Sequence, residues 1–235
     1  MNVRLSLYRS MRSCREFFSH SFLRHCIPFR RSLYAILERR SIPGTIGAPV
    51  HLRFPGSKLE VDMMVGVEEE DQMDPYLEGE YEVLETLVLQ KILKPGMKMI
   101  DIGANFGYFT LLGSRLVGDE GHIWAFEPQP RVFRLLKDSL DRNNIRNVTL
   151  IPKAVCDSKG ELTLYQEKRN AGGATLFSGN LDNSDTQATV STTSLDLYFA
   201  AGTGGPAIDV VKIDAEGAEI SVWQGMSDLR RTNPK

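Results

Sequence analysis

Cysteine is scarce. Cys14, Cys26 and Cys156 are the three in 235 residues, and they stand far apart with no paired spacing. That speaks against a disulfide framework and a zinc site, and it fits a reducing, cytoplasmic setting. No apolar run approaches the roughly twenty residues needed to cross a bilayer, so no transmembrane segment is expected. An excess of one charge is lacking as well. A net charge of −2 demands neither a nucleic acid nor a membrane surface as partner. Four histidines offer little for acid–base chemistry, because His20, His25 and His51 precede the main domain and His122 opens a strand at the wrong end of the expected sheet.

The near-zero total hides an uneven distribution. Residues 1–40 hold nine arginines, no lysine, and only Glu16 and Glu38 against them, a charge of +7 that leaves −9 on the remainder. Arginines interrupt this leader too often for a signal-peptide core. Its Arg- and Ser-rich, acid-poor composition is similar to an organelle transit peptide. The plainer reading is a basic helical extension that packs on the domain or meets a membrane surface or partner. Pro28 breaks any single long helix within it. The turn-rich Ser41-Ile-Pro-Gly-Thr-Ile-Gly-Ala-Pro49 marks the boundary, giving an extension and linker over residues 1–48 and a functional domain over 49–235.

The chain is 42% hydrophobic and 25% charged, the composition of a globular protein with room for one sizeable α/β domain. His51–Phe54 and Lys58–Val65 flank Pro55-Gly-Ser57 and read as a hairpin. A helix is expected over 79–93, with Tyr81, Leu84, Leu87, Val88 and Ile92 recurring at helical spacing. Strands over 97–102, 122–126 and 148–151 alternate with helices over 106–117 and 130–143. Residues 160–165 alternate like an exposed strand, and polar, glycine-bearing 168–189 reads as a mobile loop or lid. A short helix over 194–200, a buried strand over 208–213 and a last helix over 216–229 follow. This alternation predicts a parallel sheet with helices on both faces. Ligands of such sheets bind at the carboxyl ends of the strands, where Asp101, Glu127, Ala154 and Asp214 fall.

The richest stretch is Met99-Ile-Asp-Ile-Gly-Ala-Asn-Phe-Gly-Tyr-Phe-Thr110, followed by Trp124-Ala-Phe-Glu-Pro128. Strand, glycine turn, helix, strand and acid in that order fingerprint a nucleotide-type cofactor on a βαβ unit. Gly103 and Gly107 let backbone pass close to a ligand, and Glu127 is placed to accept hydrogen bonds from ribose hydroxyls. A dinucleotide site would want a third glycine where Tyr108 stands, and a helix N-terminus free of the charge that Asp101 brings. A carboxylate there suits a cationic amine and sulfonium, and hence S-adenosylmethionine. A nicotinamide or flavin cofactor and a purely structural glycine turn remain as alternatives.

These residues resemble the FkbM-type family of S-adenosylmethionine-dependent methyltransferases. The resemblance runs through Gly79-Glu-Tyr-Glu82, Asp101 to Thr110, Phe126-Glu-Pro-Gln-Pro130, Asn147-Val-Thr-Leu150, Gly172-Gly-Ala-Thr-Leu176, Thr193-Ser-Leu-Asp196 and Val211-Lys-Ile-Asp-Ala-Glu-Gly-Ala-Glu219. It does not extend to residues 1–50. It implies a Rossmann-like class I methyltransferase fold, S-adenosylmethionine as cofactor, and often methylation of a hydroxyl on a sugar or other small metabolite.

On that basis the turn containing Asp101, Gly103, Ala104, Asn105 and Gly107 is expected to hold the amino-acid end of the cofactor. Asp101 would act directly or through water, and Asn105 with nearby backbone N–H groups would bind the carboxylate. Glu127 would hold the ribose, Ala154 would line the adenine, and Glu82 would close the methionine pocket. For catalysis, strand alternation puts Lys212 and Asp214 on one side, with Glu216 at the same rim. Asp214 is the first candidate for general base or acceptor anchor and Glu216 the second, while Lys212 stabilises developing negative charge or pairs with Asp214. Glu216 and Glu219 also fit a plain helix N-terminal role. No metal is expected, since Asp214 and Glu216 have no third ligand beside them.

Two other functions stay open: methylation of protein or RNA, motivated by the basic leader, and a non-catalytic cofactor-binding fragment. The second is encouraged by the chain's end, because no sequence follows Lys235 to make the further strands of such a fold. The strand over 208–213 is then expected to be a sheet edge that invites self-association, beside a last helix whose Ile220, Val222 and Trp223 are poorly covered.

Overall fold

Strand β3 (Lys98–Ile102) sets the architecture by simple alternation. Met99 and Asp101 face one side of the sheet, and Ile100 and Ile102 face the other, all of them buried. Both faces of this strand are therefore covered, as in a parallel α/β sheet. The computed structural model describes residues 48–66, 81–167, 170–175, 186–200 and 206–233. The basic leader up to residue 47 and the acidic run Glu68–Asp71 lie outside these residues.

Beside β3 run β4 (His122–Phe126), β5 (Val148–Ile151) and, on the other flank, β10 (Val210–Ile213), all parallel in the order β5-β4-β3-β10. Helices α2 (Tyr108–Val117) and α3 (Pro130–Arg142) connect β3 to β4 and β4 to β5 on the Met99 face. Pro130 opens α3, where a missing N–H costs nothing. Leu111 and Leu112 of α2 and Leu135 and Leu136 of α3 bury themselves there. The opposite core joins Ile100, Ile102 and Phe126 to Leu195, Val222 and Leu229. These come from α4 (Leu195–Ala200), α5 (Glu219–Gln224) and α6 (Ser227–Thr232). The expected single helix over 216–229 is thus two helices. The chain breaks at Gly225, whose carbonyl accepts the Asp196 N–H.

The hairpin forms as expected from β1 (Ala48–Arg53) and β2 (Glu60–Val65). Val61, Met63 and Val65 turn inward, while His51 pairs with Asp62 and Arg53 with Glu60 on the outer face. Asn143 Oδ1 and Ser139 Oγ of α3 accept the N–H groups of Asp62 and Met64, which shields that sheet edge.

Two expectations change. Helix α1 (Val83–Ile92) exists, but the stripe read as its buried face is largely exposed: Leu84 by 74% and Val88 by 57%, with Leu87 and Ile92 open as well. Thr86 and Leu89 face inward instead, where the Thr86 hydroxyl donates to the Tyr81 carbonyl and pairs with the Tyr108 hydroxyl at 3.2 Å. The stripe looks onto β10, which pairs with β3 alone among the described residues.

Residues 170–175 and 186–189 of the stretch read as a loop or lid belong to a second sheet, and its residues 168–169 and 176–185 lie outside the described residues. β6 (Ala154–Val155), β9 (Thr186–Thr193), β7 (Gly160–Glu167) and β8 (Asn170–Thr175) stand side by side in that order. Antiparallel pairing of β7 with both β8 and β9 gives these polar segments their partners. Among the described residues no helix is long and apolar enough to cross a membrane.

Candidate active site

Asp101, Glu127 and Asp214 end three adjacent strands, so parallel pairing alone brings them to one rim. Gly103 turns the chain there at φ +70°, and a Cβ on it would sit 1.8 Å from the Asp214 carbonyl oxygen. Only glycine allows β3 to leave the sheet that close to β10. Gly107, at φ +89°, lies against the Leu136 side chain of α3, where a Cβ would sit 2.1 Å from a leucine methyl.

The turn's own N–H groups are mostly engaged inside the protein. Gly103 and Ala104 donate to the Phe126 carbonyl, Gly107 donates to that of Ala104, and Asn105 N–H donates to Glu127 Oε2 at 2.8 Å. Gln129 N–H donates to the other Glu127 oxygen at 2.8 Å. Glu127 is thus fixed by backbone on both oxygens while it still lines a cavity open to the surface. Burial pushes its pKa up to about 7; the two backbone bonds oppose the shift and Asp101's charge adds to it.

Asp101 is wholly buried. Its Oδ2 accepts the Thr110 hydroxyl at 2.6 Å, and Oδ1 lies 3.4 Å from Lys212 Nζ without a hydrogen bond. Lys212 also reaches Asp214 Oδ2 at 3.4 Å and sits over the Phe109 ring. Burial opposes the lysine's charge, but the two aspartates outweigh it and hold its pKa above the ordinary range.

Asp214 is the most open member, and three concavities meet at it. One is the Glu127 cavity, which Lys153, Ala154 and Glu216 also line. A second is walled by Tyr81, Phe106, Tyr108 and Phe109. The third is the groove between α1 and β10, with Glu82 on its rim. Loss of water around the Glu82 carboxyl, with Asp214's charge beside it, raises the Glu82 pKa.

Among the described residues, three of the four non-glycine residues at positive φ belong to this rim: Glu82 at 39°, Asn105 at 51° and Glu216 at 48°. Such backbone strain gathers at functional sites. Glu219 has a structural task, accepting the N–H groups of Ala215 and Gly217, which with its own backbone hold its pKa low.

The structure therefore gathers every candidate residue around one rim, with Asp101 beneath it rather than on it. Sequence reasoning missed Thr110, Lys153 and Leu164. Thr110 closes the Asp101–Thr110 signature, whose spacing does not show that its hydroxyl turns back to Asp101, and Leu164 reaches the cavity through the second sheet.

A ligand for this site needs hydroxyls for Glu127, an apolar ring for the Ile102, Phe126 and Ala154 wall, and N–H donors at the turn. Asn105 Oδ1 is buried there without a hydrogen-bond partner. S-adenosylmethionine brings all three features, so the residues present fit it.

The model of the methyltransferase FkbM domain family matches residues 101–235. The hexuronic acid methyltransferase AglP of Haloferax volcanii is 29% identical over 154 residues, covering 65% of this chain and 58% of that protein. The protein-L-isoaspartate O-methyltransferase of Methanothrix thermoacetophila is 34% identical over 59 residues, 25% of this chain and 28% of that one. A solved precorrin-6y C5,15-methyltransferase from Geobacter metallireducens is 33% identical, with a TM-score of 0.28 over 30% of this chain and 37% of that one. The chain spans less than two thirds of the length of each of these relatives.

Proposed function

Because the chain belongs to the methyltransferase FkbM domain family, we propose that it transfers a methyl group from S-adenosylmethionine to a hydroxyl of a sugar or other small metabolite. Asp214 carries the reading. It is an open carboxylate that lines both the Glu127 cavity and the aromatic one, so groups bound in the two would meet beside it.

Glu127 would hold the ribose hydroxyls on the lone pairs that its backbone partners leave. Asn105 would take the amino-acid end, Ala154 would face the base, and Glu82 would close the methionine side. Gly103, Ala104 and Gly107 would act by shaping the turn, since their N–H groups are engaged. Asp101 would act through Lys212 and the turn rather than by contact. When bound, S-adenosylmethionine supplies a methyl carbon on a sulfonium sulfur, already activated for displacement.

What remains for the protein is positioning, exclusion of water and management of one proton. Asp214 would accept the proton of the acceptor hydroxyl, Lys212 would offset negative charge on the acceptor oxygen, and Glu216 would orient the acceptor at the rim. A cytoplasmic setting is part of the proposal and rests on the unpaired spacing of the cysteines.

The test is transfer of a labelled methyl group to a panel of acceptors, read by mass spectrometry. A hexuronic acid heads the panel, since one relative is named for that acceptor. Label on a small hydroxylated acceptor, lost in Asp214→Asn, supports the reading. Label on peptide or RNA alone would move it to the macromolecular alternative, and failure of the folded chain to bind S-adenosylhomocysteine would overturn it.

A further inference from the structure

One wall of the Glu127 cavity does not come from the parallel sheet. Leu164 of β7 lines it, together with Ala154 and Val155 of β6. Both strands belong to the second sheet, with β9 between them. Ala154, Leu164 and Val190 of β9 form a small apolar cluster of their own, separate from the two main cores, and all three are buried. Of the three, Val190 is not among the residues lining the cavity.

The cavity thus has two chemistries. Glu127, Asn105, Lys153, Asp214 and Glu216 supply its polar lining, and Ile102, Phe126, Ala154, Val155 and Leu164 its apolar one. A nucleoside divides in the same way, with ribose hydroxyls at one end and a flat ring with apolar faces at the other. The ring gains most where aliphatic side chains exclude water from it.

We propose that Leu164 is a cofactor-binding residue: the second sheet carries it to the purine ring of S-adenosylmethionine, making that sheet part of the site rather than a surface appendage. The inference rests on the cofactor assignment made above. It also predicts linkage, because a ligand that touches Leu164 stabilises the sheet that presents it.

The experiment is calorimetric titration of the full chain with S-adenosylhomocysteine, and with S-ribosylhomocysteine (which lacks the purine) by competition. Leu164→Ala should weaken S-adenosylhomocysteine binding about tenfold, the scale for losing a few buried methylene contacts, and leave S-ribosylhomocysteine binding unchanged. Val190→Ala, in the same cluster but off the cavity, should lower the melting temperature and leave affinity within about twofold. Leu164→Val is the gentler variant if the alanine chain does not fold, and should weaken binding about threefold.

Equal affinity of wild type and the folded Leu164 variants for S-adenosylhomocysteine would overturn the proposal. So would equal losses for the ligands with and without the purine, or an equal loss from Val190→Ala. If the folded wild type binds no S-adenosylhomocysteine, the cofactor assignment itself falls, and the role of Leu164 falls with it.

Discussion

Lys212 stands directly across the β3–β10 ladder from Asp101, its ammonium 3.4 Å from a carboxylate that no water reaches. The same ammonium lies 3.4 Å from Asp214, which is open to the cavities. One cation therefore serves two acids of opposite exposure. A charge in the position of Asp101 is costly unless paired and hydrogen-bonded, and Lys212 with the Thr110 hydroxyl supplies both. Alternation along β10 then returns the chain to the same side at Asp214. A structural ion pair and the proposed catalytic carboxylate thus share one lysine.

Lys212→Met should lower stability by about 3 kcal/mol, because it strands Asp101 as an unpaired buried charge. The double variant Asp101→Asn with Lys212→Met should regain a large part of that loss, since the amide needs no counter-ion. Chemical denaturation of the four chains of the cycle measures the coupling. Additive losses would mean that Asp101 draws its support from Thr110 and the turn alone.

Glu127 gives the site a dependence on pH. Its pKa is about 7 in the folded chain against 4.5 for the free group, so between those values the unfolded chain releases a proton that the folded chain keeps. The group's contribution to stability is present below about 4.5 and is lost as pH rises toward 7, on the order of 3 kcal/mol in all. Ribose hydroxyls donate to the ionised form, so affinity for S-adenosylhomocysteine should rise as pH passes through about 7. Titration in buffers of different ionisation heat should show proton release on binding near pH 6.5, and Glu127→Gln should abolish it.

β3, β4 and β10 were readable because each is a short apolar run closed by an acid or a glycine, and burial on both faces of β3 demands such a run; β5 ends at Pro152 instead. Met99 to Ile102 and Ile123 to Phe126 carry that signal plainly. In the second sheet only β7 showed itself, by alternation over 160–165, since Asn170–Thr175 and Thr186–Thr193 are polar or glycine-bearing and hold together by pairing with β7. Leu84 and Val88 misled for a different reason. Their spacing describes an apolar stripe, but which stripe faces inward depends on Thr86 finding Tyr108, a contact between distant segments. Asp101 stands at the strand end that its spacing marks, yet spacing cannot tell a rim carboxylate from one sealed beneath the rim.

Asp214→Asn should leave S-adenosylhomocysteine affinity within about twofold of wild type and reduce turnover about 100-fold, the range for loss of a general base. Lys212 then loses one partner and keeps Asp101, so the melting temperature should change little. Parallel losses of binding and turnover would assign Asp214 to holding the cofactor. Full turnover would transfer the proton to Glu216 or Glu82.

The edge of β10, which pairs with β3 alone among the described residues, and the open stripe of α1 line one groove, with Leu84, Val88 and Ile92 beside Val211 and Ile213 and with Glu82, Glu85, Lys212 and Asp214 among them. On the other side of the sheet, Ile220 and Trp223 of α5 are also exposed, by 76% and 53%. An unpaired strand edge flanked by apolar side chains tends to pair with another chain. The described domain should therefore associate as its concentration rises, which light scattering on a sizing column would detect. Leu84→Lys with Val88→Glu should suppress that association and leave stability within about 0.5 kcal/mol, since neither side chain is buried. Ile220→Lys, on the opposite face, should leave association unchanged. Association that survives the α1 changes but falls with Ile220→Lys would place the contact on α5 and clear the β10 edge.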